Sequence, residues 1–254
     1  AYSEDSSKFG KQIGGDIIAN KKTFLLLKTL ELADTEQKKE LYKLLELKDN
    51  STKIKGVLRL FNLLNIKEIC QKEADKHTML AIDFLKSVNA NNLKKDKGLV
   101  VIFSSNSCPF VVGSDDFPGW EKQYDSLYNE ALANDIGFVL VNSNEGKRNQ
   151  ADSYEEMVKH AKEQNYTMPY VVDEQAALAN AFGAKTTPHV YLFDQTLTLI
   201  YTGSIDNLWD KGRKSDQAYL FNAIKAHGKG KKIKPNTTEP KGCGIKRVVT
   251  PPKN

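Results

Sequence analysis

Lys97-Gly-Leu-Val-Val-Ile-Phe-Ser-Ser-Asn-Ser-Cys108-Pro-Phe-Val-Val112 decides the fold of the larger half of this chain. Five consecutive apolar residues, Leu99 to Phe103, bounded by polar ones, predict a strand at 99–104 buried on both faces. Cys108 follows it and precedes Pro109, which suits a first helical turn because its missing N–H would have no partner there. The thiol is thereby placed near a helix N-terminus, where free N–H groups and the helix dipole favour a thiolate. The alternative is a packing cysteine, against which stand its neighbours Ser104, Ser105, Asn106 and Ser107.

Downstream the pattern predicts a helix from about 109 to 134 interrupted near Pro118, a strand at 137–142 and a helix at 153–164. A strand at 169–172, a helix at 175–182, a hairpin pairing 188–193 with 197–203, and a helix at 216–226 complete it. Strands joined by crossover helices imply a parallel core, and the hairpin adds antiparallel strands. Upstream, residues 16 to 90 carry apolar stripes at helical spacing, among them Leu41-Leu44-Leu45 and Val57-Leu60-Leu63-Leu64. Asp-Asn-Ser-Thr at 49–52 supplies a break and an N-cap, and Asn65 a shorter break. The polar stretch 89–98 reads as a linker, giving an all-α segment 1–91, an α/β segment 92–228 with a mixed central sheet, and a basic extended tail 229–254.

The net charge of +5 belongs to that tail: from Lys229 onward eight Lys/Arg accompany one Glu, so the tail carries +7 and the rest of the chain −2. A nucleic-acid-binding face is not expected. Cys70, Cys108 and Cys243 are too few and too scattered for a disulfide scaffold or a metal site, which predicts a reducing, cytoplasmic setting. No apolar run reaches the ~18 residues that a spanning helix needs. The chain opens at Ala1, without an initiator Met or a signal pattern, as a fragment or processed product would.

Thr186-Thr187-Pro188 opens a strand with a residue that cannot donate to a ladder. Together with the segment ending in Cys108, Val139-Leu-Val-Asn-Ser-Asn144, Phe182-Gly-Ala-Lys-Thr-Thr-Pro188-His-Val-Tyr-Leu-Phe-Asp194 and Gly242-Cys-Gly-Ile-Lys-Arg247, it resembles the peroxiredoxin-like (AhpC/TSA-type) redoxins of the thioredoxin superfamily, over about 96–248. The resemblance implies a thioredoxin-like fold, with Pro188 as a cis-proline facing Cys108 and Thr187 offering backbone hydrogen bonds to an extended substrate. It implies a thiol oxidoreductase that reduces a peroxide or a protein disulfide, without a bound cofactor and with an external thiol reductant.

Two departures shape that chemistry. A thioredoxin has a second cysteine three residues on, and here that position is Val111. A typical peroxiredoxin has a Thr three residues before its cysteine and a Pro four before that; here these are Ser105 and Val101, so Ser105 is the candidate hydrogen-bond donor to a peroxide. Cys243 is the internal candidate to resolve an oxidised Cys108, against the alternatives of a surface thiol on a docked tail or resolution by another molecule. Relatives also begin with a strand and a hairpin, whereas helical sequence here runs almost up to residue 99.

Phe9-Gly-Lys11-Gln-Ile-Gly-Gly15-Asp16-Ile-Ile-Ala-Asn-Lys21-Lys-Thr23 resembles the segment after the second aspartate-rich motif of trans-isoprenyl diphosphate synthases (polyprenyl synthetases), and the helices through Leu85 resemble that fold's C-terminal part. In that family the lysines matching Lys11 and Lys21 help hold a diphosphate. Both aspartate-rich motifs are absent, so magnesium would belong only to an intact synthase and no prenyl transfer is expected. Three readings stay open: a thiol oxidoreductase, the end of a bifunctional isoprenoid enzyme, and a thioredoxin-fold binding module with an inert thiol.

Overall fold

The computed structural model describes residues 14–73 and 95–248, and the chain divides into two compact units, Ala1–His77 and Thr78–Asn254. In the first, α1 (Gly15–Ile18) precedes α2 (Phe24–Leu32), which starts where Thr23 Oγ1 accepts the Leu26 N–H at 3.3 Å. Asp34 and Gln37 form a reciprocal capping box at the start of α3 (Thr35–Glu46). Asp49 caps α4 (Asn50–Leu63) by accepting from Ser51 N and Thr52 N, so the break expected at 49–52 is where the sequence puts it. Asn65 takes a left-handed φ of 52° before the chain turns helical again at 66–73. Leu41, Val57, Leu60, Phe61 and Ile66 close this core.

The second unit is built on β1 (Gly98–Ser104), all seven residues of which are buried because both faces are covered. β1 pairs in parallel with β2 (Ile136–Asn142), and β2 in parallel with β3 (Tyr170–Val172). On its other side β1 pairs antiparallel with β5 (His189–Phe193), and β5 with β6 (Leu199–Gly203), giving the order β3-β2-β1-β5-β6. This is the expected α/β fold with a mixed sheet. Val100 and Ile102 pack against α5 (Pro109–Val112), α6 (Tyr124–Ala133) and α9 (Tyr219–Gly228), through residues such as Val111, Leu127 and Ile224. Leu99, Val101 and Phe103 face the other way, onto α8 (Ala177–Phe182) and Ile245; α7 (Tyr154–Glu163) lies between β2 and β3.

One expectation changes and one sharpens. The helix foreseen from 109 to 134 is two helices with an irregular stretch between: α5 ends after four residues at Gly113, and α6 begins beyond Pro118. The basic tail, expected as an extended segment with docking as one alternative, is docked over its described part, 229–248. Thr202 of β6 donates its N–H to the Asn236 carbonyl at 3.2 Å and its carbonyl accepts from Thr238 N at 3.0 Å, Thr238 Oγ1 accepts from Ser204 N at 2.9 Å, and Ile245 is buried. Within the tail, β7 (Cys243–Gly244) pairs antiparallel with β4 (Thr186–Thr187), joining Thr187 to Cys243 and Thr186 to Gly244. The region before β1 where relatives carry a strand and hairpin lies outside the described residues, as does Lys11.

Candidate active site

The register of β1 on β2 brings Ser104 level with Asn142, so the polar runs after both strands meet at the carboxyl edge of the sheet, where α/β proteins bind ligands. Cys108 caps α5 there, buried to 3% exposure, and its carbonyl accepts from Val111 N and Val112 N at 2.8 and 2.9 Å. A four-residue helix supplies few free N–H groups and little dipole, so the thiol's setting comes from its other neighbours.

The first is β4. The Thr187–Pro188 peptide is cis, and the Thr187 carbonyl accepts the Cys108 thiol's hydrogen bond at 2.9 Å. The second is Cys243. Its pairing with Thr187 sets it across from the residue whose carbonyl holds the Cys108 thiol, and burial first, then its interaction with Cys108, push the Cys243 thiol up to about 11. Gly242 is required for this approach, since a Cβ there would sit 2.2 Å from the Thr187 oxygen. The backbone edge at Thr187, expected to receive a substrate, is taken by the chain's own tail.

Ser105 has its hydroxyl engaged by other groups. Its hydroxyl donates to Asp152 Oδ1 at 3.1 Å and accepts from Asn144 Nδ2 at 2.9 Å and Ser107 N at 3.1 Å, so its one donor and two lone pairs are spent. Asp152, fully buried, also accepts from Asn106 N, Ser107 Oγ and Asn142 Nδ2, at 2.9, 3.0 and 2.7 Å. This carboxylate ties the loop before Cys108 to the end of β2. Sequence reasoning missed it because the residue and its partners lie in three separate segments, although two polar runs ending adjacent parallel strands do foretell that something polar joins them.

On the other side of Cys108, Phe110, Phe117 and Trp120 cluster, with ring centroids 4.9 to 6.1 Å apart. Trp120 Nε1 donates to Asp206 Oδ1 at 2.8 Å. A cavity of about 470 Å³ opens beside Pro109 and Phe110, walled by Phe117, Leu208 and Trp209. Lys241 of the tail lies 4.6 Å above the Trp209 ring. Beneath Cys108, Tyr124 donates or accepts a 2.9 Å hydrogen bond with Ser104 Oγ, and burial raises its phenol well above its ordinary value. No group of three or more metal-ligating side chains occurs among the described residues.

In the helical unit, Lys21 pairs with Asp16 at 2.8 Å on the surface. The other aspartates of residues 14–73, Asp34 and Asp49, each cap a helix. These carboxylates do not converge, and the residues do not fit a magnesium-bound diphosphate.

A family model described as Redoxin matches residues 72–218, more than half of the chain. The chain belongs to the Redoxin family. A second model, described as Polyprenyl synthetase, matches residues 1–63. Two solved structures resemble this redoxin. An uncharacterized conserved protein from Geobacillus kaustophilus is 29% identical with a TM-score of 0.54, over 63% of this chain and 82% of that one. A hypothetical protein from Sinorhizobium meliloti 1021 is 26% identical with a TM-score of 0.55, over 63% of this chain and 85% of that one. No curated protein matches. Membership of the family supports a thiol–disulfide redox function for the redoxin, and no helix among its described residues is long and apolar enough to cross a membrane.

Proposed function

We propose that the redoxin is a two-thiol oxidoreductase in which Cys108 is the nucleophile and Cys243 the resolving thiol. The observation that carries this is that Thr187 joins the two cysteines, its carbonyl accepting from the Cys108 thiol at 2.9 Å and its backbone pairing with Cys243 on β7, while Val111 leaves the first turn of α5 without a partner. The Cys108 thiolate attacks one sulfur of a substrate disulfide and expels the other as a thiolate, leaving a mixed disulfide. Cys243 loses its proton and attacks Cys108 Sγ, expelling the second substrate thiolate and forming the Cys108–Cys243 bond. An external dithiol then restores both thiols.

The spent hydroxyl of Ser105 favours a disulfide substrate over a peroxide, since that hydroxyl is not free to donate to the peroxide oxygen. A second reading, a small peroxide, is favoured by the 3% exposure of Cys108. That path gives a sulfenic acid on Cys108, which Cys243 converts to the same disulfide with loss of water.

Incubating the full chain with glutathione disulfide or hydrogen peroxide and mapping its thiols by mass spectrometry tests both. The Cys108–Cys243 bond is expected with Cys70 free, and the preferred oxidant is the one that forms it faster. With Cys243→Ser, the glutathione adduct or sulfenate on Cys108 persists. An unreacted Cys108, or a wild-type chain that accumulates the adduct without closing the bond, overturns the assignment.

A further inference from the structure

The two thiol-bearing segments, 105–108 and 243–247, are joined through one buried side chain. Asn144, 3% exposed, follows β2 and belongs to neither segment. Its Nδ2 donates to Ser105 Oγ at 2.9 Å and to Asp152 Oδ2 at 3.1 Å, while its Oδ1 accepts from Lys246 N at 2.9 Å. Two residues on, Gly146 N donates to the Lys246 carbonyl at 2.6 Å, so the same turn grips Lys246 at both its backbone groups.

The chemistry of the three partners fixes the orientation. The Asp152 carboxylate can only accept and the Lys246 N–H can only donate, so the amide nitrogen must face Asp152 and the amide oxygen must face the tail. Asp at this position would set a second carboxylate against Asp152 and lose both donated bonds. Ala would lose all three, freeing the Lys246 N–H from the loop and leaving Ser105 Oγ and Asp152 each one bond short. From Ser107, beside Cys108, the connection runs through Ser105 Oγ to Asn144 and on to Lys246, three residues from Cys243.

We propose that Asn144 is a positioning residue for the Cys108–Cys243 disulfide: its amide holds the tail in register with the Cys108 loop, raising the effective concentration of one thiol at the other. This rests on the two-thiol reading above. Its chemical consequence falls on the equilibrium in which the reduced chain and one glutathione disulfide give the Cys108–Cys243 disulfide and two glutathione thiols. No atom of Asn144 enters that reaction; it changes only how often Cys243 stands within reach of Cys108.

The test is to equilibrate the full chain in glutathione buffers and quantify the Cys108–Cys243 bond for wild type, Asn144→Ala and Asn144→Asp. Asn144→Ala is expected to lower the equilibrium constant by about tenfold or more, which for a two-electron couple is about 30 mV. Asn144→Asp is expected to lower it at least as far, because it keeps only the bond to the tail. Lys246→Pro, at an exposed position, removes the tail-side N–H while leaving Asn144 and Asp152 in place, and keeps the question open to refutation if Asn144→Ala does not fold. It too is expected to lower the constant. Folded variants whose constants equal that of wild type overturn the role of Asn144 while the two-thiol reading stands. A wild-type chain that forms no Cys108–Cys243 bond in any buffer overturns that reading itself.

Discussion

The helical unit and the redox unit use polar side chains over very different distances along the chain. In 14–73, Thr23, Asp34 and Asp49 each serve the first turn of the helix they precede, and Lys21 pairs with Asp16. Three side chains reach further: the buried Lys53 ammonium donates to the carbonyls of Ile18 and Leu45 at 3.3 and 2.8 Å, Asn20 Nδ2 donates to the Leu45 carbonyl at 3.2 Å, and Arg59 pairs with Glu40, none of them more than 35 residues away. In 95–248 the polar groups reach much further. Asp152 binds loop residues 45 to 47 positions away, Cys108 bonds a carbonyl 79 away, and Asn144 holds a backbone N–H 102 away. Local bonds make helices, and convergent long-range ones make a site.

The largest expected effect tests whether the cores of the two units melt separately. Leu41 is fully buried in the helical core with Val57, Leu60 and Phe61, so Leu41→Ala is expected to cost the helical unit about 2–5 kcal/mol. Thermal unfolding followed by far-UV circular dichroism, with Cys108 alkylation as a separate probe of the redox unit, reads the outcome. An early loss of helical signal with Cys108 protection unchanged sustains the comparison. Both probes shifting together would mean one cooperative molecule.

What the sequence made legible follows the same division. The strand at 99–104, the cap at 49–52 and the break at Asn65 were readable because each is a local pattern, apolar continuity or cap chemistry. The two-residue pairing of β7 with β4 has no periodicity to read, so the sequence showed a basic extended tail without showing where it docks. Ser105 was expected at a peroxide because the resemblance placed a hydroxyl near the cysteine. Which way that hydroxyl points was decided by Asp152, 47 residues on, and nothing local announces it.

Acid should separate the units by a smaller amount. His189 opens β5, with Nδ1 accepting from Lys185 N at 3.2 Å and its ring against Tyr191, centroids 4.6 Å apart. Burial first, and the Lys185 charge second, push it down from 6.5 to about 4. The folded redox unit therefore resists a proton that the unfolded chain accepts. Above pH 6.5 both states are neutral at this residue and nothing is lost; as pH falls from 6.5 to about 4 the unfolded state gains, at about 1.4 kcal/mol for each pH unit. The loss reaches roughly 3 kcal/mol. Urea melts of wild type and His189→Gln at pH 7 and pH 4 isolate it. The wild type should lose more stability on acidification than the variant, and an equal loss in both would remove His189 as the cause.

The smallest effect tests the claim that the helical unit stands on local bonds. In the capping box Asp34 Oδ1 accepts from Gln37 N at 2.8 Å and Gln37 Oε1 accepts from Asp34 N at 2.9 Å, satisfying two groups that the start of α3 would otherwise leave to water. Asp34→Ala removes one of these bonds and is expected to cost about 1 kcal/mol, read as a shift in the helical unit's urea midpoint with an unchanged slope. Local bonding limits the loss to that range, because water can reach the freed N–H of an exposed helix start. A loss several times larger would show that Asp34 supports more than its own helix, and the contrast with Asp152, itself fully buried among Ser105, Asn142 and Asn144, would fail at its simplest point.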